Sequence, residues 1–475
     1  MAKRKDALQK VNKKPQQAIN GETLRRAVAW TIDQKIFAHL KLHGNTTWNV
    51  VHLILLAVVW VWSNDSTLTG AFKEARVWSL DVLGNVAVQT YQGLIGALQT
   101  WTATWLPLLW DHLHGLMERY GGKHWRVGRW LPLAIDGSRL SLPRTKENEE
   151  HFCAPNFGNS ATAKYRRKKK AKGKRARRKT KPAQPVKPQM WITLLWHMGL
   201  QIPWSWKAGP SYASERDHFQ EMLSEQKYPK KTLFCGDAGF TGHDLWKAII
   251  DAGHNFLIRV GGNVKLLRKL GYVREKAGFV YCWPNEVARR KQPPLVLRLL
   301  QVRVGDRLMY LLTSVLDEAA LSDADAVRLY RLRWGIELQF RTVKQTFGRR
   351  KLRSKTPGPA YVELHWSLVG LWLIQLFAVK EQLKIGDVPE HCSVALAIQV
   401  IRETLRRWWE VPDETFICKL RAATKDGYKR RGSKKARYCP NYKDKPSAGK
   451  PVVRNATRWH KSKLKQCSKT APKNR

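Results

Sequence analysis

Hydrophobic and polar positions change period several times along the chain, and those changes mark its organisation. Residues 20–125 carry long apolar-periodic runs, among them ETLRRAVAWTIDQKIFAHLKL and GLIGALQTWTATWLPLLWDHLHGLMERY, and predict a mostly helical region. RWLPLAIDGSRLSL (129–142) reads as a buried strand with Asp136-Gly137 at its end. QMWITLLWHMGLQIPWSWKAGP (189–210) reads as two strands joined near Gly199, ERDHFQEMLSEQ (215–226) as a helix, and KTLFCGDAGF (231–240) as a short strand ending at Gly236-Asp237. The runs NFLIRV, GYVREKAGFVYCW, PLVLRLLQVRV and DRLMYLLTS make 253–315 strand-rich. A helix follows, capped at Asp323 or Asp325, and others are predicted at 366–383 and near 391–409. The expected layout is an arm over 1–15, a helical region over 16–128, an α/β core in two parts (129–252 and 316–410), a β-rich insertion over 253–315 and a flexible tail over 411–475.

One helix carries more than its packing needs. In YRLRWGIELQFRTVKQ (330–345), at about 100° per residue, Leu329, Leu332, Ile336, Phe340 and Val343 fall between roughly 200° and 280°, a core-facing stripe. Tyr330, Arg333, Glu337 and Lys344 share one wedge beside it, at roughly 0°, 300°, 340° and 320°. A solvent-exposed ladder of ion pairs would give a similar pattern, and the helix alone does not separate the two readings.

Charge narrows the choice of partner. The 475 residues are 43% hydrophobic and include 22 Trp and 13 Tyr, so most of the chain is expected to fold. Yet 86 Lys and Arg oppose 37 Asp and Glu, a net charge of +49. Such self-repulsion is relieved by a polyanion, with nucleic acid the first candidate and an anionic membrane surface the weaker one. KYRRKKKAKGKRARRKTKPAQPVKP (164–188) holds 14 cations and no acid, which predicts a disordered loop. Residues 424–475 hold 18 cations and two Asp. Setting both segments aside leaves 54 basic and 35 acidic residues, so the folded part is itself expected to bind a polyanion, the helical 16–128 included. The most apolar stretch, VVHLILLAVVWVW (50–62), is 13 residues and contains His52, short of the roughly 20 needed to span a bilayer, and predicts a buried helix. MAKRKDALQKVNKK lacks an apolar segment behind its charges, which argues against a signal peptide. Seven widely spaced cysteines without a CxxC pair fit a reducing compartment and argue against a zinc ribbon. The expected location is the cytoplasm of a bacterial or archaeal cell, at the nucleoid.

Two strands deliver an aspartate at their ends, AIDG (134–137) and CGDA (235–238). The C-terminal edge of a strand is where α/β sheets build sites, although Asp-Gly is also ordinary turn chemistry. Asp136, Asp237 and Glu337 together would repel one another unless divalent cations sat between them, and oxygen donors suit Mg2+ or Mn2+. Two such ions can serve both sides of a phosphodiester, with Arg333 and Lys344 holding phosphates. His218 and His243 lack a second histidine at metal-ligand spacing. Neither GxSxG nor a P-loop occurs.

Tyr330, Arg333, Glu337 and Lys344, spaced by two, three and six residues, match the signature of the IS4 family of transposases, which the chain resembles over roughly 129–410. FGRRKLRSKTP (347–357) resembles the family's continuation. The resemblance is weak in the N-terminal helices and absent in the tail. It implies an RNase H-like mixed α/β core with a β-strand insertion, flanked by helical N-terminal and C-terminal regions. It implies Asp136, Asp237 and Glu337 as a catalytic, metal-binding triad for two Mg2+ or Mn2+ ions, with Tyr330, Arg333 and Lys344 on the transposon end. It implies binding of double-stranded DNA at terminal inverted repeats, strand cleavage, 3′-OH strand transfer, and a homodimer on DNA with no membrane partner. A related nuclease or an inactive DNA-binding derivative shares most of these features. Some members stack a flipped base on an aromatic of the insertion. Here Met309 aligns with it and Tyr310 lies beside, either a stacking face or a packed strand residue.

Overall fold

The computed structural model describes residues 18–42, 46, 48–84, 87–154, 187–283, 292–304, 307–425 and 449–467. The arm at 1–15, nearly all of the basic segment 164–188 and Cys439 lie outside them. The described helices are α1 (Asn20–Thr31), α2 (Val50–Trp62), α3 (Leu68–Leu83), α4 (Tyr91–Gly121), α5 (Lys146–Phe152), α6 (Glu215–Glu225), α7 (His243–Asp251), α8 (Asp323–Leu332), α9 (Gly335–Arg341), α10 (Pro357–Lys384), α11 (Val394–Arg406), α12 (Phe416–Ala422) and α13 (Arg458–Cys467). The chain divides into two compact units, one of residues 1–113 with 365–425, the other of 114–364 with 426–475.

The first unit is helical and joins segments far apart in sequence. α2 is capped by Asn49, whose side chain accepts from Val51 N–H at 2.8 Å and His52 N–H at 3.3 Å. Every residue from Leu53 to Trp62 is buried, so α2 is enclosed on all sides, as a helix apolar all round must be. Trp62 donates its indole N–H to the Gly370 carbonyl at 2.9 Å, and Trp366 donates to Thr102 Oγ1 at 2.9 Å. At Gly370 a β-carbon would lie 2.8 Å from Val61, so only glycine admits this approach. The division expected at residues 128 and 316 therefore shifts. The N-terminal helices share a core with 365–425, because a buried helix such as α2 needs apolar partners that its own segment does not supply. α10, 28 residues, is long and apolar enough to cross a membrane, and 94% of its most apolar window is buried within the protein.

The second unit is built on a ten-stranded sheet in the order β10-β6-β7-β8-β9-β5-β4-β1-β2-β3. β1 (Leu131–Ser141) lies antiparallel to β2 (Gln189–His197), and β2 to β3 (Ile202–Pro210). On its other side β1 runs parallel to β4 (Thr232–Gly236), and β4 to β5 (Asn255–Val260), with α7 as the crossover. This is the mixed core expected of an RNase H-like fold. Leu131–Ile135 and Thr232–Gly236 are buried without alternation, as central strands covered on both faces require.

Two expectations change here. β5 belongs to the core, so the core does not end at 252. The insertion proper is β6 (Lys265–Arg268), β7 (Phe279–Cys282), β8 (Leu295–Val304) and β9 (Arg307–Thr313), an antiparallel run that continues the core sheet because β9 pairs with β5. The tail expected to be flexible over 411–475 contains α12, α13 and β10 (Val452–Asn455), which pairs in parallel with β6. Edge pairing and a few apolar anchors fix a segment whose composition alone argues for disorder. The six described cysteines are free.

Candidate active site

β1 and β4 place two aspartates side by side. Ala134 pairs with Cys235, and Asp136 and Asp237 each follow two residues further along neighbouring parallel strands. Strands in a sheet are about 4.8 Å apart. Each carboxylate is oriented locally: Asp136 Oδ1 accepts from Gly137 N–H at 2.8 Å, and Asp237 Oδ1 from Gly239 N–H at 2.7 Å.

The signature helix is not continuous. Ser322, rather than either aspartate, caps α8, accepting from Asp325 N–H at 3.1 Å. α8 ends at Leu332 and α9 restarts at Gly335, with Ile336 and Glu337 bonded to the carbonyls three residues back (3.1 and 3.2 Å). Gly335 explains the break. A β-carbon there would lie 2.0 Å from Trp196 Cη2, so the backbone rests directly on an indole ring rising from β2. A π-helical turn, Thr342–Thr346, follows α9 and carries Lys344.

These elements bring most of the expected site residues together. Arg333 is only 5% exposed and lies over the Tyr330 ring at 5.3 Å. Its Nη2 is 3.5 Å from Glu337 Oε1. Burial works against its charge, and Tyr330, Asp136, Asp237 and Glu337 together more than offset that, so its pKa is raised. Arg333 Nε and Nη1 have no hydrogen-bond partner among the described residues. Lys344 donates to Ser138 Oγ on β1 at 2.6 Å, and burial with Arg350 nearby lowers its pKa. Asp136 is pushed up to about 6, first by burial and further by the charges of Asp237 and Glu337, against the Gly137 N–H and Arg333.

A fourth carboxylate, absent from the sequence expectation, lies among them. Glu215 opens α6, and a β-carbon on Gly137 would lie 2.5 Å from its Oε2, while one on Gly239 would lie 2.9 Å from its Oε1. Asp237 Oδ1 is 2.8 Å from the same Gly239 position, so the two carboxylates are neighbours. At Gly137 a β-carbon would also meet Trp191 Cζ2 at 2.6 Å. Burial, then Asp237 and Asp136, push Glu215 up to about 7. In sequence Glu215 looks like a first-turn helix acid behind a Ser214 cap.

Other candidates resolve as packing. Tyr310 is 9% exposed, paired with Val260 on one side and Gln301 on the other. Its ring is therefore largely covered in the structure, the arrangement of a packed strand residue. His218 is buried against Thr193 Oγ1 at 3.1 Å, and His243 is bonded to Asp244 at 3.1 Å. Arg349 and Arg353 flank the fully buried Glu363, which also accepts from Arg353 and Ser354 N–H at 2.9 and 3.0 Å. Among the described residues no three His, Cys, Asp or Glu side chains converge closely enough to hold a metal ion. The donor set is nonetheless all oxygen and gathered from β1, β4, α6 and α9, the chemistry that hard divalent cations take.

Comparison with known proteins agrees with the signature. Residues 131–373 match the family model described as the transposase DDE domain. The transposase InsG for insertion sequence element IS4, from Escherichia coli (strain K12), is 30% identical over 204 residues, 40% of this chain and 45% of that relative. The match thus spans less than half the relative's length. A cryo-EM structure of a piggyBac transposase synaptic complex with hairpin DNA aligns over 84% of this chain and 82% of its own at 13% identity, with a TM-score of 0.38, too slight a likeness to carry an argument. On the family model, which covers half the chain, this protein belongs to the transposases with a DDE domain, and its likeness to an IS4 transposase agrees with the signature.

Proposed function

We propose that the protein binds the terminal inverted repeats of its own element, cuts DNA phosphodiesters in a metal-dependent reaction, and uses the freed 3′-OH for strand transfer. The observation that carries the reading is the gathering of Asp136, which stands in the middle of β1 rather than at the strand end expected from sequence, with Asp237 just past β4, Glu337 and Arg333, and with Glu215 beside them. Asp136, Asp237 and Glu337 would hold Mg2+ or Mn2+, with Glu215 in reach. Two bound ions would supply an activated water and a counter-charge for the leaving oxygen. The protein's own groups do the positioning. Arg333, fixed over Tyr330 and 3.5 Å from Glu337, sets a buried cation beside the carboxylates. Lys344, held at Ser138, sets a second cation near Asp136. Double-stranded DNA is the substrate, and two ends cut in concert call for a homodimer on DNA.

The test is cleavage of a duplex carrying the element's end, in Mg2+, by wild type and by Asp136→Asn, Asp237→Asn and Glu337→Gln. Each variant should lose at least about 10³-fold in rate while still binding the duplex. Wild-type rates in any of the three would remove that residue from the catalytic set.

A further inference from the structure

Residues 449–467 fall in the tail expected to be basic and flexible, and the structure gives them a shape. β10 extends the sheet at its edge: Val452 N–H donates to the Val264 carbonyl at 2.9 Å and Ala456 N–H to the Arg268 carbonyl at 2.7 Å. α13 follows directly. At about 100° per residue, His460, Leu464 and Cys467 fall within one wedge of roughly 60°. Leu464 and Cys467 pack against Leu270, Tyr281 and Trp283 of the insertion. Arg458, Lys461 and Lys465 fall within another wedge of roughly 60°, and all three are exposed. Docking of the first stripe thus holds the second outward, as a straight row about 10 Å long.

We propose that this row is a duplex-DNA-binding surface of the transposase, a backbone clamp that Arg458, Lys461 and Lys465 form on the insertion lobe. The inference rests on the function proposed above. Residues 449–467 hold six Lys or Arg and no acid. The segment they dock on, 262–283, holds five more and one acid, Glu275, whose carboxylate is occupied by the N–H groups of Lys269 (3.2 Å) and Gly271 (3.1 Å). A duplex presents a charge about every 1.7 Å of its axis, so a rigid row of this length meets several phosphates. An anionic membrane fits less well. A membrane-bound helix needs its apolar face free to enter the lipid, and that face of α13 is already buried in protein.

The experiment measures binding of the 475-residue chain to a duplex of the element's end by fluorescence anisotropy, from about 50 to 200 mM salt. The variants are the triple Arg458→Gln, Lys461→Gln, Lys465→Gln and the charge-keeping triple Arg458→Lys, Lys461→Arg, Lys465→Arg. All three positions are exposed, and circular dichroism and melting should match wild type. The neutralised triple should bind about 10²-fold more weakly at 0.1 M salt, with a log–log salt slope shallower by about 2.7, while the charge-keeping triple retains the wild-type slope. An unchanged slope in the neutralised triple overturns the clamp. So does wild-type binding to anionic lipid vesicles tighter than to the duplex and lost in the same triple. No DNA binding by wild type would instead overturn the transposase reading on which the clamp rests.

Discussion

Replacing Gly335 by alanine tests whether the break in the signature helix positions Glu337. Helix propensity alone predicts that the change stabilises the protein, by about 1 kcal/mol. The structure predicts the opposite sign. The added carbon would meet Trp196 Cη2, Cζ3 and Cζ2 at 2.0, 2.6 and 2.9 Å. Carbon contacts relax near about 3.5 Å, so helix and ring must separate by about 1.5 Å. The ring has little room to yield: Trp196 is 2% exposed, on a strand flanked by β1 and β3. Overpacking of this kind costs about 1–3 kcal/mol, enough to cancel or exceed the propensity gain. At about 2–4 °C per kcal/mol, melting should fall by a few degrees. Glu337 lies two residues further along α9 and moves with the helix, and a displacement of about 1 Å at a reacting group costs about 10²-fold in rate. Scanning calorimetry and end-cleavage rates, taken well below the transition, read both effects. Adding Trp196→Leu should recover part of each loss, giving a coupling of at least about 1 kcal/mol in the double-mutant cycle. A Gly335→Ala protein that melts at or above wild type and cleaves at its rate would refute the reasoning.

Glu215 gives a pH signature: its unfolded pKa is near 4.5 and its folded one about 7, so between them the unfolded state loses its proton first, stability declines as pH rises, and the decline ends above about 7. Metal-free melting of wild type should therefore fall across that window relative to Glu215→Gln, and parallel curves would remove the carboxyl from this environment. The same variant should weaken Mn2+ binding by about tenfold or more in a direct titration, and equal affinity would leave Glu215 outside the metal's reach. Arg333→Lys keeps the charge but loses the planar fork stacked on Tyr330, so end cleavage should drop by about 10²-fold with duplex affinity changed only a few-fold. Wild-type turnover in that variant would show that a point charge suffices.

Several elements were legible because the physics that makes them is local. The strands bearing Asp136 and Asp237 declare themselves as short apolar runs, although β1 continues five residues past Asp136 because Gly137–Ser141 still pair with β2, and the helical period alone gathers Tyr330, Arg333 and Glu337 on one side. What escaped depends on partners distant in sequence. The break before Gly335 is imposed by Trp196, and the apolar stripe reads straight through it. β5 has the composition of the insertion strands that follow, and only its parallel pairing with β4 assigns it to the core. Glu215 is indistinguishable from a helix-capping acid until the glycines on two other segments are seen against it. β10 and α13 hide among cations because their few anchors, Leu464 and Cys467 chief among them, work only against a cluster supplied by residues 267–296.

The helical unit assembled from 1–113 and 365–425 sets a schedule for synthesis. A ribosome adds about 5–20 residues per second, so α1–α3 are made roughly 14–56 seconds before the segment that completes their core begins. During that interval Trp62 lacks Gly370 and Phe377, the partners it packs against. Nascent chains would spend that time as clients of holdase chaperones, and supply of the finished enzyme would be governed by how many survive the wait.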